Sequence, residues 1–511
     1  MSDESRAGHA GHPGRATHEE DPDRGFLTDQ PLVDVDETTD DALQQESPAA
    51  AVVIAPTAPD LSVLDARPAP GPPREYHFPA FERARLANGL TVIHAHLPGR
   101  PLLAAQLVLL GGALVEPAAR AGITALTGRA LSEGTRRLNA IDFVEAAERL
   151  GAELHAEASW EALSASLEVP RSRFAPALAL LAEMVLEPAF PADEVERLRE
   201  ERLNDLLQAR ADPRRRVERI FPETIFHPDA PYSRPLGGTE LTVGDLARES
   251  VMERHAAALD PRAATLVVAG DLSGLDVPRL AEKHFAAMPA GEPPPATPEV
   301  APHPAGARVV LVDRPGAPQS EVRIGHLGLP RRTPYFHVVA VLNSLLGGTF
   351  GSRLNRRLRE ELGYTYGIHS AFDMRRATGP FVVRSGIQTE FTVPAIVEVL
   401  AVIRGMREAE VEPRELELVR DYLVGVFPLR FETAGAVAGA LAGLATYELP
   451  DDELDRYRPA IAAVSAADVL DAARRHIQPD GLSIVVVGDA ATVEEPLRAA
   501  ELGRLTVVPA E

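Results

Sequence analysis

The sequence contains no cysteine and a single lysine, Lys283. The first absence removes disulfides, thiolate metal sites and thiol nucleophiles. The second leaves nearly all of the positive charge to arginine, which reads as coding bias. Long apolar runs are also missing. The longest, LLAAQLVLLGGALV from Leu102 to Val115, is shorter than the roughly 20 residues a membrane span needs and is broken by Gly111-Gly112. The opening MSDESRAGHAGH lacks the basic and apolar regions of a secretory signal. A net charge of −23 over 511 residues disfavours nucleic acid as a partner. The expectation is a cytoplasmic protein that binds neither membrane nor nucleic acid.

The charge that is present is uneven. Residues 1–75 hold 16 acidic and 5 basic side chains and end in ARPAPGPPRE. Such a segment cannot bury enough apolar surface to offset its ordering entropy, so a disordered acidic arm is expected there. Its His9, His12 and His18 read as solvated side chains.

Beyond the arm the chain repeats itself. ARLANGLTVIHAHLPGRPLLAAQLVLLGGALVEP opens a first copy and ARVVLVDRPGAPQSEVRIGHLGLPRR a second, each a strand, a polar turn and a buried strand. The copies close alike, with Ala264 to Phe285 in the first and Leu482 to Ala500 in the second. The proline-dense EPPPATPEVAPHP lies between them. This gives a first domain over 76–291, a linker over 292–304 and a second domain over 305–511. Within the first copy, period-2 strands flank Glu157 to Ser159, Phe174, Leu178, Leu181 and Val185 share a helical face, and PADEVERLREERLNDLLQARAD starts with the acids a helix dipole favours. The fold class expected is α+β, two homologous domains, each a mixed sheet covered by helices.

Four motifs carry chemistry or its remains: GITALTGRALSEGT from Gly122, PYSRPLGGTELTVGDL from Pro231, the VVAGD ending, and GGTFGSRLNRRLREELGYTYG in the second copy. In this order they resemble the inverzincin metallopeptidases of the pitrilysin and insulinase kind, most of all the branch that includes processing peptidases. The resemblance runs from about Phe78 to Ala500 and implies sheets that are mostly antiparallel. In active members the helix carries H-x-x-E-H, two histidines for zinc and a glutamate that activates bound water. Placed by Gly122 and Gly134-Thr135, those positions are here Ala125, Gly128 and Arg129. Alanine and glycine have no donor atom, and a guanidinium repels a dication. The family's third ligand falls near Asp205 or Leu206, and Asp205 alone could not hold zinc. His94 and His96 alternate on one strand face without a third ligand nearby, and the remaining histidines of the folded region are isolated. No metal is expected in this chain.

The second copy keeps what the first has lost. Arg359 and Tyr366 stand seven apart in LREELGYTYG, the spacing at which the family carries an arginine and a tyrosine that reach toward the zinc site, with Tyr364 as the alternative phenol. Guanidinium and phenol suit the negative charge that develops on a scissile oxygen. Arg353, Arg356 and Arg357 would add positive charge along the same helix. The plainer reading pairs these arginines with Glu360 and Glu361 as a solvated face. The resemblance implies a zinc-less, peptide-binding subunit that donates Arg359 and Tyr366 to a homologous partner bearing zinc on an intact H-x-x-E-H. Two rivals remain: a catalytically inactive scaffold, as in the respiratory-complex core subunits that resemble the family, and a self-sufficient peptidase of unusual metal chemistry.

Overall fold

VVLV in one copy and TVIHA in the other place apolar residues on both sides of a pleat, the mark of strands covered on both faces. A computed structural model of the chain describes Gly71 and residues 74–510. The acidic arm expected over 1–75 therefore lies, apart from Gly71, Arg74 and Glu75, outside the described residues. Residues 75–510 form one compact unit built around two six-stranded sheets.

The first sheet holds β1 (Phe81–Arg85), β2 (Thr91–His96), β3 (Leu102–Leu110), β4 (Glu153–Ala158), β5 (Ala162–Pro170) and β6 (Ala264–Gly270), in the order β1-β2-β6-β3-β5-β4. The second holds β7 (Arg308–Asp313), β8 (Gln319–Leu327), β9 (Ile368–Phe372), β10 (Pro380–Gln388), β11 (Ser483–Gly488) and β12 (Arg504–Val508), in the order β12-β7-β11-β8-β10-β9. The two orders coincide when β7 is laid on β2 and β8 on β3, as the sequence repeat requires. They differ at one edge. The first domain takes its outer strand from its N-terminal end, antiparallel to β2, and the second takes its own from the C-terminal end, parallel to β7. Antiparallel pairs outnumber parallel ones in both sheets.

The helices used below are α1 (Ile123–Ala130), α2 (Phe174–Leu186), α3 (Ala192–Ala211), α4 (Pro213–Ile225), α5 (Pro413–Val426), α6 (Ala434–Thr446) and α7 (Glu453–Ala463). Asp193 and Glu194 fill the first turn of α3, as the helix dipole favours. Asp212 then breaks the run. Its carboxylate caps α4 by accepting the N–H groups of Arg214 and Arg215 at 2.8 and 3.2 Å, and Pro213 takes the first helical position, where no N–H is needed.

The sequence pattern does not foretell where α4 and α6 pack. Each crosses to the other domain's sheet. Val217, Phe221 and Ile225 of α4 lie against Val310, Val312, Val382, Val485 and Val487 of the second sheet. Val437, Ala438, Leu441 and Ala442 of α6 lie against Ile93, Ala95, Ala104, Val108, Val267 and Ala269 of the first. The other face of the first sheet, carrying Val92, Leu103, Leu107, Leu266 and Val268, is covered by its own helices, α2 among them. Burying Val217, Phe221 and Ile225 contributes roughly 4.5–9 kcal/mol at about 1.5–3 kcal/mol per large apolar side chain.

Polar groups are buried along the same exchange. Arg323 on β8, 2% exposed, binds Glu218 of α4 at 2.7 Å and Glu321 at 3.1 Å. Where the β4–β5 turn meets the β9–β10 loop, one oxygen of buried Glu161 accepts the Tyr232 hydroxyl at 2.8 Å and the Arg376 N–H at 2.9 Å. The Arg375 guanidinium lies beside the rings of Tyr232 and Trp160, with centroids at 4.8 and 5.2 Å.

Candidate functional site

Helix α1 is anchored by groups that have nothing to do with metal. Upstream, buried Glu116 accepts the N–H groups of Gly122 and Thr124 at 3.0 and 2.5 Å, which places an anion at the positive end of the helix. Burial raises the pKa of this carboxyl above its ordinary value, against the opposing hydrogen bonds and the nearby Arg254. Arg254 donates to the Thr124 hydroxyl at 2.8 Å and to the Gly111 carbonyl.

Gly122 has φ +95°, and a Cβ there would stand 2.8 Å from the Gly237 carbonyl carbon and oxygen. The LGGT stretch of the second motif is thus the surface on which the helix entry rests. At the exit, the Thr135 hydroxyl donates to Glu183 of α2 at 2.6 Å and its N–H donates to Leu138 O at 2.8 Å. The glycines, acids and threonines that frame an active-site helix therefore each hold backbone in place. That explains a frame which survives without its contents.

The contents face α3 and β4. Half-buried Ala125 and buried Gly128 offer no donor atom. A Cβ at Gly128 would lie 3.2 Å from the Glu157 carbonyl carbon and 3.3 Å from the Ala158 nitrogen, so glycine lets α1 approach the edge strand β4 closely. Arg129 pairs with Glu201 of α3 at 2.9 Å. Glu201 is shared with Arg197 at 2.5 Å, and Arg197 also holds Glu133 at 2.8 Å. Asp205, one turn further along α3, is gripped by Arg202 and, at 2.6 Å, by Arg215 of α4. Burial lowers the Arg202 pKa. Asp205 opposes the shift, while the neighbouring charges of Arg215 and Arg129 add to it. Guanidinium–carboxylate pairs thus occupy the region where the resemblance places metal ligands.

These residues do not fit zinc. Two of the three motif positions have no donor, the third is a cation, and the nearby carboxylates already serve arginines. Among the described residues no group of three or more His, Asp or Glu side chains is set to hold a metal ion. His96 Nδ1 accepts the Leu272 N–H at 3.0 Å, and His94 Nε2 lies 3.9 Å from Glu82.

In the second domain a single turn, Arg353–Asn355, runs into a π-helical segment, Arg356–Glu361. Such widened turns are rare. Arg359 lies on it with its guanidinium 3.5 Å over the ring of Phe350, from the glycine-rich loop, and 2.8 Å from Glu360. Its side chain is 18% exposed. Thr365 is buried, with its hydroxyl 2.8 and 2.7 Å from the carbonyl oxygens of Gly367 and Gly386 and its one proton available to either. Tyr364 turns inward and stacks on Phe391 with ring centroids 4.6 Å apart, while Tyr366 points outward at 88% exposure.

Two of the other arginines of the segment, Arg353 and Arg357, carry less free charge than the sequence suggests. Arg353 is clamped by both oxygens of Glu415 at 2.9 and 2.7 Å, and Arg357 holds Glu398 and Glu361 at 2.8 and 2.9 Å. The pairings of the plainer reading, Arg359 with Glu360 and Arg357 with Glu361, are both present. The contacts recorded for Arg359 lie within its own domain.

Edge strands flank both regions. β4 pairs with β5 alone. The outer edge of β9 is occupied at Ile368, whose N–H and C=O both bond the side-chain amide of Asn355 at 3.3 and 2.8 Å. Glu116, Arg254 and Asn355 were not singled out by sequence reasoning. An acid six residues before a glycine-led helix is the signal that could have found the first.

Comparison with known proteins agrees with this geometry. Residues 91–240 match the family model described as insulinase, peptidase family M16, and residues 245–423 match the model of the peptidase M16 inactive domain. The chain is 27% identical over 340 residues to an uncharacterized zinc protease of Mycobacterium leprae, covering 65% of this chain and 75% of that one. It is 21% identical over 396 residues to the non-peptidase homolog YmxG of Helicobacter pylori, covering 75% and 88%. In fold it is similar to a peptidase M16 inactive domain from Pseudomonas fluorescens, with a TM-score of 0.76 at 24% identity over 80% of this chain and 98% of that one. A protease from Helicobacter pylori gives 0.74 at 19% identity over 81% and 100%.

Proposed function

We propose that this chain, which belongs to the insulinase family of metallopeptidases but lacks that family's zinc ligands and catalytic base, is the zinc-less, substrate-binding subunit of a heterodimeric peptidase. Its partner is a homologous subunit with an intact H-x-x-E-H that holds the zinc. In this reading a peptide adds as a further strand along the free edge of β4, where main-chain hydrogen bonds give affinity without demanding a sequence. Arg359 and Tyr366 act across the subunit interface as donors to the developing oxyanion of the scissile carbonyl.

The observation that carries the reading is Tyr366. A tyrosine at 88% exposure, next to a buried Thr365, makes no sense as a packing residue. The degenerate α1, with Arg129 paired to Glu201, supports a chain that needs its metal from elsewhere.

The test is reconstitution. The chain alone should hold no stoichiometric zinc and cleave no peptide, and cleavage should require a homologue with the intact motif. Removing a single oxyanion donor should then lower kcat about 10²–10³-fold. Zinc and turnover in the lone chain would end the proposal.

A second reading, an inactive scaffold of the same fold, is favoured by the stacking of Arg359 on Phe350, which holds the guanidinium inside its own domain. Arg359→Ala combined with Tyr366→Phe decides between them. Unchanged turnover in the reconstituted pair would favour the scaffold.

A further inference from the structure

A cavity of about 420 Å³ opens between the segment Arg331–His337 and the start of α7, away from α1 and from Arg359. Its wall is unusual in charge. Arg331 and Arg456 share one carboxylate, that of Glu453, at 3.1 and 3.2 Å, and Glu453 is 9% exposed. Arg332 stands on the rim, 73% exposed, with Glu448 at 3.6 Å, but Glu448 already serves Arg376 at 2.9 Å. Asp452 accepts a second contact from Arg456 at 3.2 Å. The lining itself thus carries three guanidiniums, on Arg331, Arg332 and Arg456, and one carboxylate, that of Glu453.

The positive end of α7 points into the same region. Asp455, the other acid of its first turn, is turned away to accept the Phe78 N–H at 2.9 Å. Burial lowers the Arg331 pKa, with Glu453 opposing, so this cation is held in the wall at a cost. It is fixed there by the Phe336 ring, 3.5 Å from its central carbon. His337 also lines the cavity. Burial keeps its pKa below the ordinary value, and its Nε2 has no protein hydrogen-bond partner.

We propose that this cavity is a separate oxyanion-binding site, taking a phosphate or a compact carboxylate on Arg332 and Arg456, with Arg331 behind them. The ligand supplies the missing negative charge, and the fixed guanidiniums lose little freedom in meeting it. The site also connects to the junction of the two domains. The Arg331 N–H donates to the Arg375 carbonyl at 2.7 Å, and the Arg375 side chain lies beside Trp160, the one tryptophan of the sequence. This inference does not rest on the subunit reading above.

The test is isothermal titration of the full chain with inorganic phosphate and, separately, with succinate, at ionic strength held constant with sodium chloride. Saturable binding of at least one anion is expected, accompanied by a change in Trp160 fluorescence. Affinity should fall at least 10-fold in R332A/R456A. It should stay unchanged in R404A, which alters a different arginine-lined surface. R332A alone, on the exposed rim, gives a variant whose folding is not at risk and should weaken binding measurably. Phosphate alone binding identifies a tetrahedral oxyanion, and succinate alone a carboxylate group. No saturable heat from either anion, or equal affinity in R332A/R456A and the parent chain, would overturn the assignment.

Discussion

Replacing Glu218 by alanine strands Arg323 inside the protein. The guanidinium is 2% exposed and loses its 2.7 Å partner, keeping Glu321 at 3.1 Å and the Val322 carbonyl at 2.9 Å. Breaking a buried pair by removing one member costs about 3–5 kcal/mol, because the remaining charge is left uncompensated. With two acceptors still in place the loss should fall at the lower end, about 3 kcal/mol. Arg384, 3.7 Å from Glu218 and 38% exposed, adds about 0–1 kcal/mol at most, since solvent screens it.

Urea unfolding followed by Trp160 fluorescence reads the change, because that ring sits where the two domains meet. A lower midpoint at unchanged slope is expected. The double variant E218A/R323M removes that pair and leaves only the 19% exposed Glu321 without its 3.1 Å partner, so it should recover part of the loss.

The effect should also depend on pH. Burial pushes the Glu218 carboxyl up, but Arg384 and Arg323 outweigh it and hold the pKa below the ordinary 4.5. A depressed folded pKa gives stability that is present above the unfolded value and lost as pH falls through the folded one. The gap between parent and E218A should therefore close below about pH 4.5. A single variant E218A as stable as the parent at pH 7, or a double variant less stable than E218A, would refute this account of the domain junction.

Glu161 should show the opposite slope. Burial raises its pKa above 4.5, so its share of stability is full below that value and fades as pH rises through the folded pKa. Melting curves of E161Q from pH 4 to 8 should lack that decline, and E161A should cost about 1–3 kcal/mol by leaving the Tyr232 hydroxyl and the Arg376 N–H unpaired. The triple variant A125H/G128E/R129H should gain no tight zinc by metal analysis, and overpacking against Glu157 and Ala158 should destabilise it by about 1–3 kcal/mol. Tyr364→Ala should lower the melting temperature by removing the stack on Phe391, whereas Tyr366→Ala should leave it within about ±0.5 kcal/mol of the parent, as exposed positions do. Gly122→Ala should destabilise strongly in the same assay, since its φ and the Gly237 backbone both exclude a side chain.

Much of this was legible in the chain itself. β4 and β5 follow from strict alternation around Glu157 to Ser159, and α3 from its acidic first turn. That Ala125 and Gly128 offer no donor atom and Arg129 a cation is read from the residue types alone. The crossing of α4 and α6 was not legible, because an amphipathic pattern says that a face is buried and not which sheet buries it. One signal was available: an arginine inside EVRIG, in a strand covered on both faces, demands a carboxylate from elsewhere in the fold. Glu161 and Tyr232 lie 71 residues apart, and no local pattern links them. Nor could spacing foretell the opposite fates of Tyr364 and Tyr366, on either side of the buried Thr365.

The borrowed helices also set a timetable for biosynthesis. The inner strands β2 and β3 leave the ribosome long before Thr446, so their alanine and valine surface must wait for α6 on the order of tens of seconds at about 5–20 residues per second. During that interval the nascent chain presents an uncovered greasy plane, the kind of surface that makes a partly made chain prone to aggregate.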